Sequence, residues 1–297
     1  MELAGLAVPT PTLFDANGDL DPARNAAFLE GLTAAGVDHL FVLGSVGEFA
    51  SVSDPERSAL LKAAEPALRA RTDLWVGVGA PATRRAVAYA REAEAARADA
   101  LVAVPPYYLR PTDSSIVAYY RTIHAAVGVP LLAYNIPSKV GYALSVEVVH
   151  RLAREGTVVG VKDTSGSMAS LSGFLRGAPD GFTVFPGDDV LASRAVAAGA
   201  SGAVMGTANV VPTLAVELVA AARSGDRGRA ARLQEVVDRL ASVVHEGPFP
   251  STLKFLAHRW RGAPEGYRSP YDPLTPAEEE RVLAAFHALD AELAPYR

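Results

Sequence analysis

Val158-Val159-Gly160-Val161-Lys162-Asp163-Thr164-Ser165-Gly166 decides the reading of this chain. Its first half is a β-branched apolar run, long enough for a buried strand and short for a helix. A lysine stands at the end of that run, and turn-formers follow. The chain has 28 basic residues, of which only Lys62, Lys139, Lys162 and Lys254 are lysines. Its surface charge is therefore carried by arginine, and a lysine closing an apolar strand calls for a reason. A guanidinium stays protonated, whereas an amine in an apolar site can lose its proton and attack a carbonyl. The plain alternative is a lysine that leaves the strand end to pair with Asp163.

Working outward, the same rhythm recurs. Strands are expected near Gly5–Phe14, Asp38–Leu43, Leu74–Val78, Ala100–Val104, Pro130–Tyr134, the lysine segment, Phe182–Phe185 and Ala203–Met205. The first can pair only where Pro9 and Pro11 need not donate. Helical patterns fall between them. Asp21-Pro22 opens one that stops at Gly36, and Ser53-Asp54-Pro55-Glu56 caps another running to about Ala70. Further helices are expected at Thr83–Arg97, Asp113–Val127, Ser145–Arg154, Met168–Arg176 and Val190–Ala198. Short apolar runs without polar alternation suit strands covered on both faces. Eight such units in roughly 210 residues is the size of a (β/α)₈ TIM barrel. A doubly wound open sheet is the other arrangement considered, but no G-x-G-x-x-G follows the first strand.

Beyond Val211-Pro212 the pattern is helical only: Thr213–Ser224, Arg227–His245, Pro250–Arg261 and Thr275–Ala294. The first completes the barrel. The other three form a C-terminal extension, giving a barrel over residues 1–224 and a helical addition over 225–297.

Composition narrows the function. A net charge of −5 offers no basic footprint for nucleic acid. The absence of cysteine removes thiolate nucleophiles, disulfides and Cys-based zinc sites. No apolar run is long enough to span a membrane, and Met1–Gly5 has no basic leader, so a cytoplasmic protein is expected. The six histidines are scattered without metal-ligand spacing, and no Walker-type loop is present.

Barrels of this type place chemistry at the C-terminal ends of their strands. Those ends deliver Gly44-Ser45-Val46-Gly47-Glu48, Tyr107-Tyr108, Tyr134-Asn135, Lys162, Gly187-Asp188-Asp189 and Gly206-Thr207-Ala208-Asn209. A glycine turn with a serine presents free N–H groups that suit a carboxylate, although Gly44 and Gly47 could equally be simple turn residues. A phenol beside an amine can shuttle protons. Asp188 and Asp189 suit helix caps better than a cation site.

Gly44-Ser45-Val46-Gly47-Glu48, Tyr134-Asn135-Ile136-Pro137, Gly160-Val161-Lys162-Asp163 and Gly187-Asp188-Asp189 together resemble the dihydrodipicolinate synthase / N-acetylneuraminate lyase family. The resemblance spans essentially the whole chain and is closer to the 2-keto-3-deoxy sugar acid aldolase branch. It implies a class I aldolase in which Lys162 forms a Schiff base with pyruvate or a pyruvate-yielding keto acid, with an aldehyde as the second partner. Tyr134 would move protons. The amides of Ser45 and Val46, with the Ser45 hydroxyl, would hold the carboxylate, and Gly187 and Val204 would line the imine. Tyr108 would sit at a subunit contact of a homotetramer and extend a neighbour's proton relay. No cofactor and no metal is implied. Two residues depart from the synthase branch. Val46 stands where a threonine is usual, and Lys139 replaces an arginine that forks onto the carboxylate of aspartate semialdehyde. Lys139 is kept among the substrate-binding residues, and dihydrodipicolinate synthase remains the alternative activity. A barrel that senses keto acids without turnover is the alternative of another class.

Overall fold

The computed structural model describes residues 3–70 and 72–296; Met1 and Glu2 of the N-terminal reading lie outside the described residues. Eight strands alternate with helices: β1 (Gly5–Pro9), β2 (His39–Val42), β3 (Asp73–Gly77), β4 (Ala100–Ala103), β5 (Leu131–Asn135), β6 (Gly160–Asp163), β7 (Thr183–Pro186) and β8 (Gly202–Val204). All the pairings are parallel, in the order β7-β6-β5-β4-β3-β2-β1-β8. The Ser201 amide donates to the Val184 carbonyl at 3.0 Å and draws the two outer strands together. The result is a nearly closed TIM barrel followed by C-terminal helices. Sequential parallel pairing requires a crossover for each strand, which the intervening helices supply.

The strand ends explain themselves. β1 stops at Pro9, so Pro11 lies beyond the ladder and the expected strand to Phe14 is shortened. Asp21 caps the helix Pro22–Ala34 by accepting from the Arg24 amide at 3.0 Å, and Gly36 takes φ +86° just beyond its end. Ser53 and Glu56 form a capping box on the helix Asp54–Ala64. That helix then tightens to a 3₁₀ run, Glu65–Ala70, because Pro66 supplies no amide hydrogen for the α ladder. The expected single helix Thr275–Ala294 is broken. It runs Pro276–His287, turns, and resumes at Asp290–Leu293, an arrangement that buries both Leu289 and Leu293.

Inside the barrel the side chains stack in layers. Phe41 and Trp75 are register partners, Trp75 meets Phe185 edge-on at 5.0 Å, and His39 stacks on Trp75 at 4.7 Å. This aromatic plug fills the lower barrel and gives the upper layer a dry floor.

Candidate active site

Alternation along β5 and β6 sorts the motif residues into two sets. Tyr134 and Lys162 are register partners, as are Asn135 and Asp163. Successive strand residues point to opposite faces. Tyr134 and Lys162 therefore point into the barrel, and Asn135 and Asp163 point out. On the outer face Asn135 Nδ2 donates to Asp163 Oδ1 at 2.8 Å, and the Leu144 amide donates to Asn135 Oδ1 at 2.9 Å. The Ser165 hydroxyl donates to Asp163 Oδ2 at 3.0 Å. The Asp163 carboxylate is thus engaged with Asn135 and Ser165, and the ion pair with Lys162 that adjacency in sequence suggests does not form.

Lys162 is 3% exposed. Its Nζ donates to Thr164 Oγ1 at 2.9 Å and lies 3.7 Å from the centroid of the Tyr134 ring and 5.9 Å from that of Phe41. Burial pushes the Tyr134 phenol up, but the charge and hydrogen bonding of Lys162, with hydrogen bonds from Ser45 and Thr164, bring it below the usual tyrosine value. The phenol is thereby prepared to hold or release a proton beside the amine.

Gly187 makes room for that amine. A Cβ at this position would stand 2.1 Å from Thr164 Oγ1, 2.8 Å from Lys162 Nζ and 3.0 Å from its Cε. No larger residue fits without moving the lysine.

Ser45 and Val46 lie in the turn after β2. The Phe49 amide donates to the Gly44 carbonyl at 3.3 Å, the Glu48 amide to the Ser45 carbonyl at 3.2 Å, and Thr12 Oγ1 to the Gly47 carbonyl at 2.6 Å. The turn is closed, its side chains are largely buried, and Ser45 reaches the Tyr134 phenol. A small apolar cavity next to that phenol is lined by Phe41, Ser45, Phe49, Gly79, Val104 and Tyr134.

The structure brings Lys162, Tyr134, Ser45 and Gly187 together. Val204 is buried as the last residue of β8. Lys139 is exposed on the helical turn Pro137–Val140 above β5. Tyr108 is 94% exposed, with φ +76°, and belongs to the outer surface of this chain rather than to the cluster around Lys162. Asp188 caps the following turn by accepting from the Val190 amide at 3.3 Å. Asp189 is half-buried and accepts from the Gly206 and Thr207 amides at 2.8 and 2.7 Å. Among the described residues no cluster of three or more His, Cys, Asp or Glu could hold a metal ion, and no helix is long and apolar enough to cross a membrane.

Thr164 is the residue the sequence reading missed. It sits two positions after Lys162, and the period-2 rule for strands places such a pair on one face, so the signal was present.

The chain is similar to known proteins along nearly its whole length. The model of the "Dihydrodipicolinate synthetase family" matches residues 2–289. A 4-hydroxy-tetrahydrodipicolinate synthase of Azoarcus sp. (strain BH72) is 32% identical over 283 residues, covering 95% of this chain and 97% of that protein. The putative 2-dehydro-3-deoxy-D-gluconate aldolase YagE of Escherichia coli K12 is 31% identical over 255 residues, 84% of each chain. The crystal structure of YagE in complex with pyruvate superposes with a TM-score of 0.92 at 29% identity, covering 98% of this chain and 99% of that one. The chain belongs to the dihydrodipicolinate synthetase family and is a lyase of that family.

Proposed function

We propose that the chain is a pyruvate-forming class I aldolase that cleaves a 2-keto-3-deoxy sugar acid through a Schiff base on Lys162. The observation that carries this reading is the setting of Lys162: a buried amine held by a hydroxyl and a phenol instead of a carboxylate. Hydroxyl and phenol can each donate or accept, so a proton can leave Nζ without leaving a buried anion unpaired.

The neutral amine attacks C2 of the keto acid, and loss of water gives the protonated imine. The imine draws electrons from the C3–C4 bond. As that bond breaks, Tyr134 takes the proton of the C4 hydroxyl, the aldehyde departs, and the electron pair rests in the enamine. Return of a proton to C3 and addition of water then free pyruvate and the amine. The Ser45 and Val46 amides receive the substrate carboxylate, and the Ser45 hydroxyl aligns the Tyr134 phenol. Gly187 and Val204 border the imine, and Lys139 faces the second substrate at the mouth. Tyr108 and Leu109, 94% and 76% exposed, form the face on which another copy of the chain docks in a homotetramer.

A coupled assay for pyruvate release over 2-keto-3-deoxygluconate, its galactonate epimer, N-acetylneuraminate and 4-hydroxy-2-oxoglutarate tests the proposal. Release from a 2-keto-3-deoxy sugar acid is expected. Pyruvate binding without release from any of them contradicts it and leaves a keto-acid sensor. A second reading, dihydrodipicolinate synthase, is favoured by the name of the Azoarcus relative. Consumption of aspartate semialdehyde with pyruvate, and no release from the sugar acids, would select it. The hydroxyl-free Val46 and the single amine of Lys139 weigh against it.

A further inference from the structure

The helix Ser251–Arg261 belongs to the C-terminal extension, yet one of its side chains ends in the barrel's second loop. Lys254 is fully buried, and its Nζ lies 2.7 Å from Glu48 Oε1, whose side chain is 1% exposed. The same amine donates to the Gly266 carbonyl at 2.8 Å and lies 5.1 Å from the Phe14 ring centroid and 5.5 Å from that of Tyr267. Glu48 closes the turn Gly44–Glu48 in a left-handed conformation, with φ +52° and ψ +36°. A glutamate gains nothing locally from that conformation, so something outside the turn must hold it there.

Burial works against both charges. It pushes the Glu48 carboxyl up and the Lys254 amine down, and each is restrained by the other. Such a pair is a poor source of stability compared with apolar residues of similar volume. What it does well is fix geometry, because the two charges are compatible with one relative placement of their backbones. Arg268, farther along the extension, adds a second hold. It donates to the Ser51 carbonyl at 3.0 Å and to Glu56 Oε2 at 3.1 Å, just beyond the same turn. The other wall of the turn is held by Thr12 on the Gly47 carbonyl.

We infer that Lys254 is a positioning residue for the keto-acid carboxylate: acting through Glu48, it sets the direction in which the Ser45 and Val46 amides point. The inference rests on the lysine–imine reading of the site and adds to it that the extension is part of the binding apparatus. The amides receive a charged group whose hydrogen bonds depend on direction, so a turn that relaxes by a few tenths of an ångström weakens binding. Lys162, on a different strand, is left in place.

The test is borohydride trapping of pyruvate on Lys162 in the full chain, titrated against pyruvate and carried out well below each variant's unfolding midpoint. For Lys254→Met, the half-saturating pyruvate concentration is expected to rise about 10- to 100-fold, the worth of a hydrogen bond to a charged group. The trapping rate at saturation should change less than about threefold, as expected when uniform binding alone is removed. Trapping of acetone, a ketone without a carboxylate, should proceed at the parent rate. The double variant Glu48→Gln/Lys254→Met leaves no unpaired buried ion. It should show the same rise, and it provides the measurement if the single variant does not fold. An unchanged half-saturation in folded variants overturns the inference alone, since a purely structural role moves the unfolding midpoint and nothing else. Equal losses with pyruvate and acetone overturn it too. A parent protein that traps no pyruvate at any concentration overturns the imine reading and this inference together.

Discussion

Lys162 and Lys254 are 3% and 0% exposed, and the chain treats them in opposite ways. Lys254 meets a carboxylate and a carbonyl, both of which only accept, so the ammonium is held as a charge. Lys162 meets a threonine hydroxyl and a tyrosine, each of which can give as well as take a proton. The nearest carboxylate in sequence, Asp163, faces the other side of β6. Burial alone therefore does not make a lysine reactive. The partners determine whether the amine can spare its proton.

Exchanging each lysine for methionine should produce effects that cross. Lys162→Met is expected to lower pyruvate release by about four orders of magnitude or more, as loss of a nucleophile does in other enzymes, with the urea unfolding midpoint retained. Lys254→Met leaves Glu48 buried without its cation. It should cost about 3–5 kcal/mol in urea unfolding while Lys162 still forms the imine. Equal stability losses in the two variants would erase the distinction drawn between the sites.

Gly187→Ala probes the space around the Lys162 amine. The added methyl would stand 2.8 Å from Nζ, and misplacement on the ångström scale should lower kcat/KM by about 100-fold. A variant with parent kinetics would mean that the lysine works from another position. Thr164→Val keeps the shape and removes the hydroxyl. A loss of about tenfold in the rate of imine formation, the worth of roughly one hydrogen bond, is expected in stopped-flow trapping, with little change in stability.

The smallest effect concerns the hold on the turn. Hydrogen bonding from Arg268 brings the Glu56 carboxyl from its ordinary 4.5 to about 2. A carboxyl lowered in the folded state stabilises fully above its unfolded value, and that contribution fades as pH falls through the folded value. Arg268→Met should therefore be slightly less stable than the parent at pH 6, with the difference shrinking between pH 4.5 and about 2. Thermal unfolding across that range is the measurement, and a constant difference contradicts the assignment.

Much of this was legible in the residues. β-branched runs closed by turn-formers marked the strands, and Asp21-Pro22 and Ser53–Glu56 marked helix starts that the structure retains. The neighbourhood of Lys162 and Tyr134 followed from two strand ends in adjacent units. Thr164 was legible through strand alternation. The Glu48–Lys254 pair was not, because nothing local in either segment announces a partner from the far part of the chain. The break at Ala288–Leu289 also escaped, since alanine and leucine favour helix and only the packing of Leu289 and Leu293 turns the chain.

The most direct measurement is the intact mass, with peptide mapping, of the full chain after incubation with pyruvate and borohydride. The account predicts one reduced pyruvyl adduct per chain, located at Lys162, with Lys62, Lys139 and Lys254 unmodified. An unmodified mass from folded protein, or an adduct on any other lysine, would contradict it.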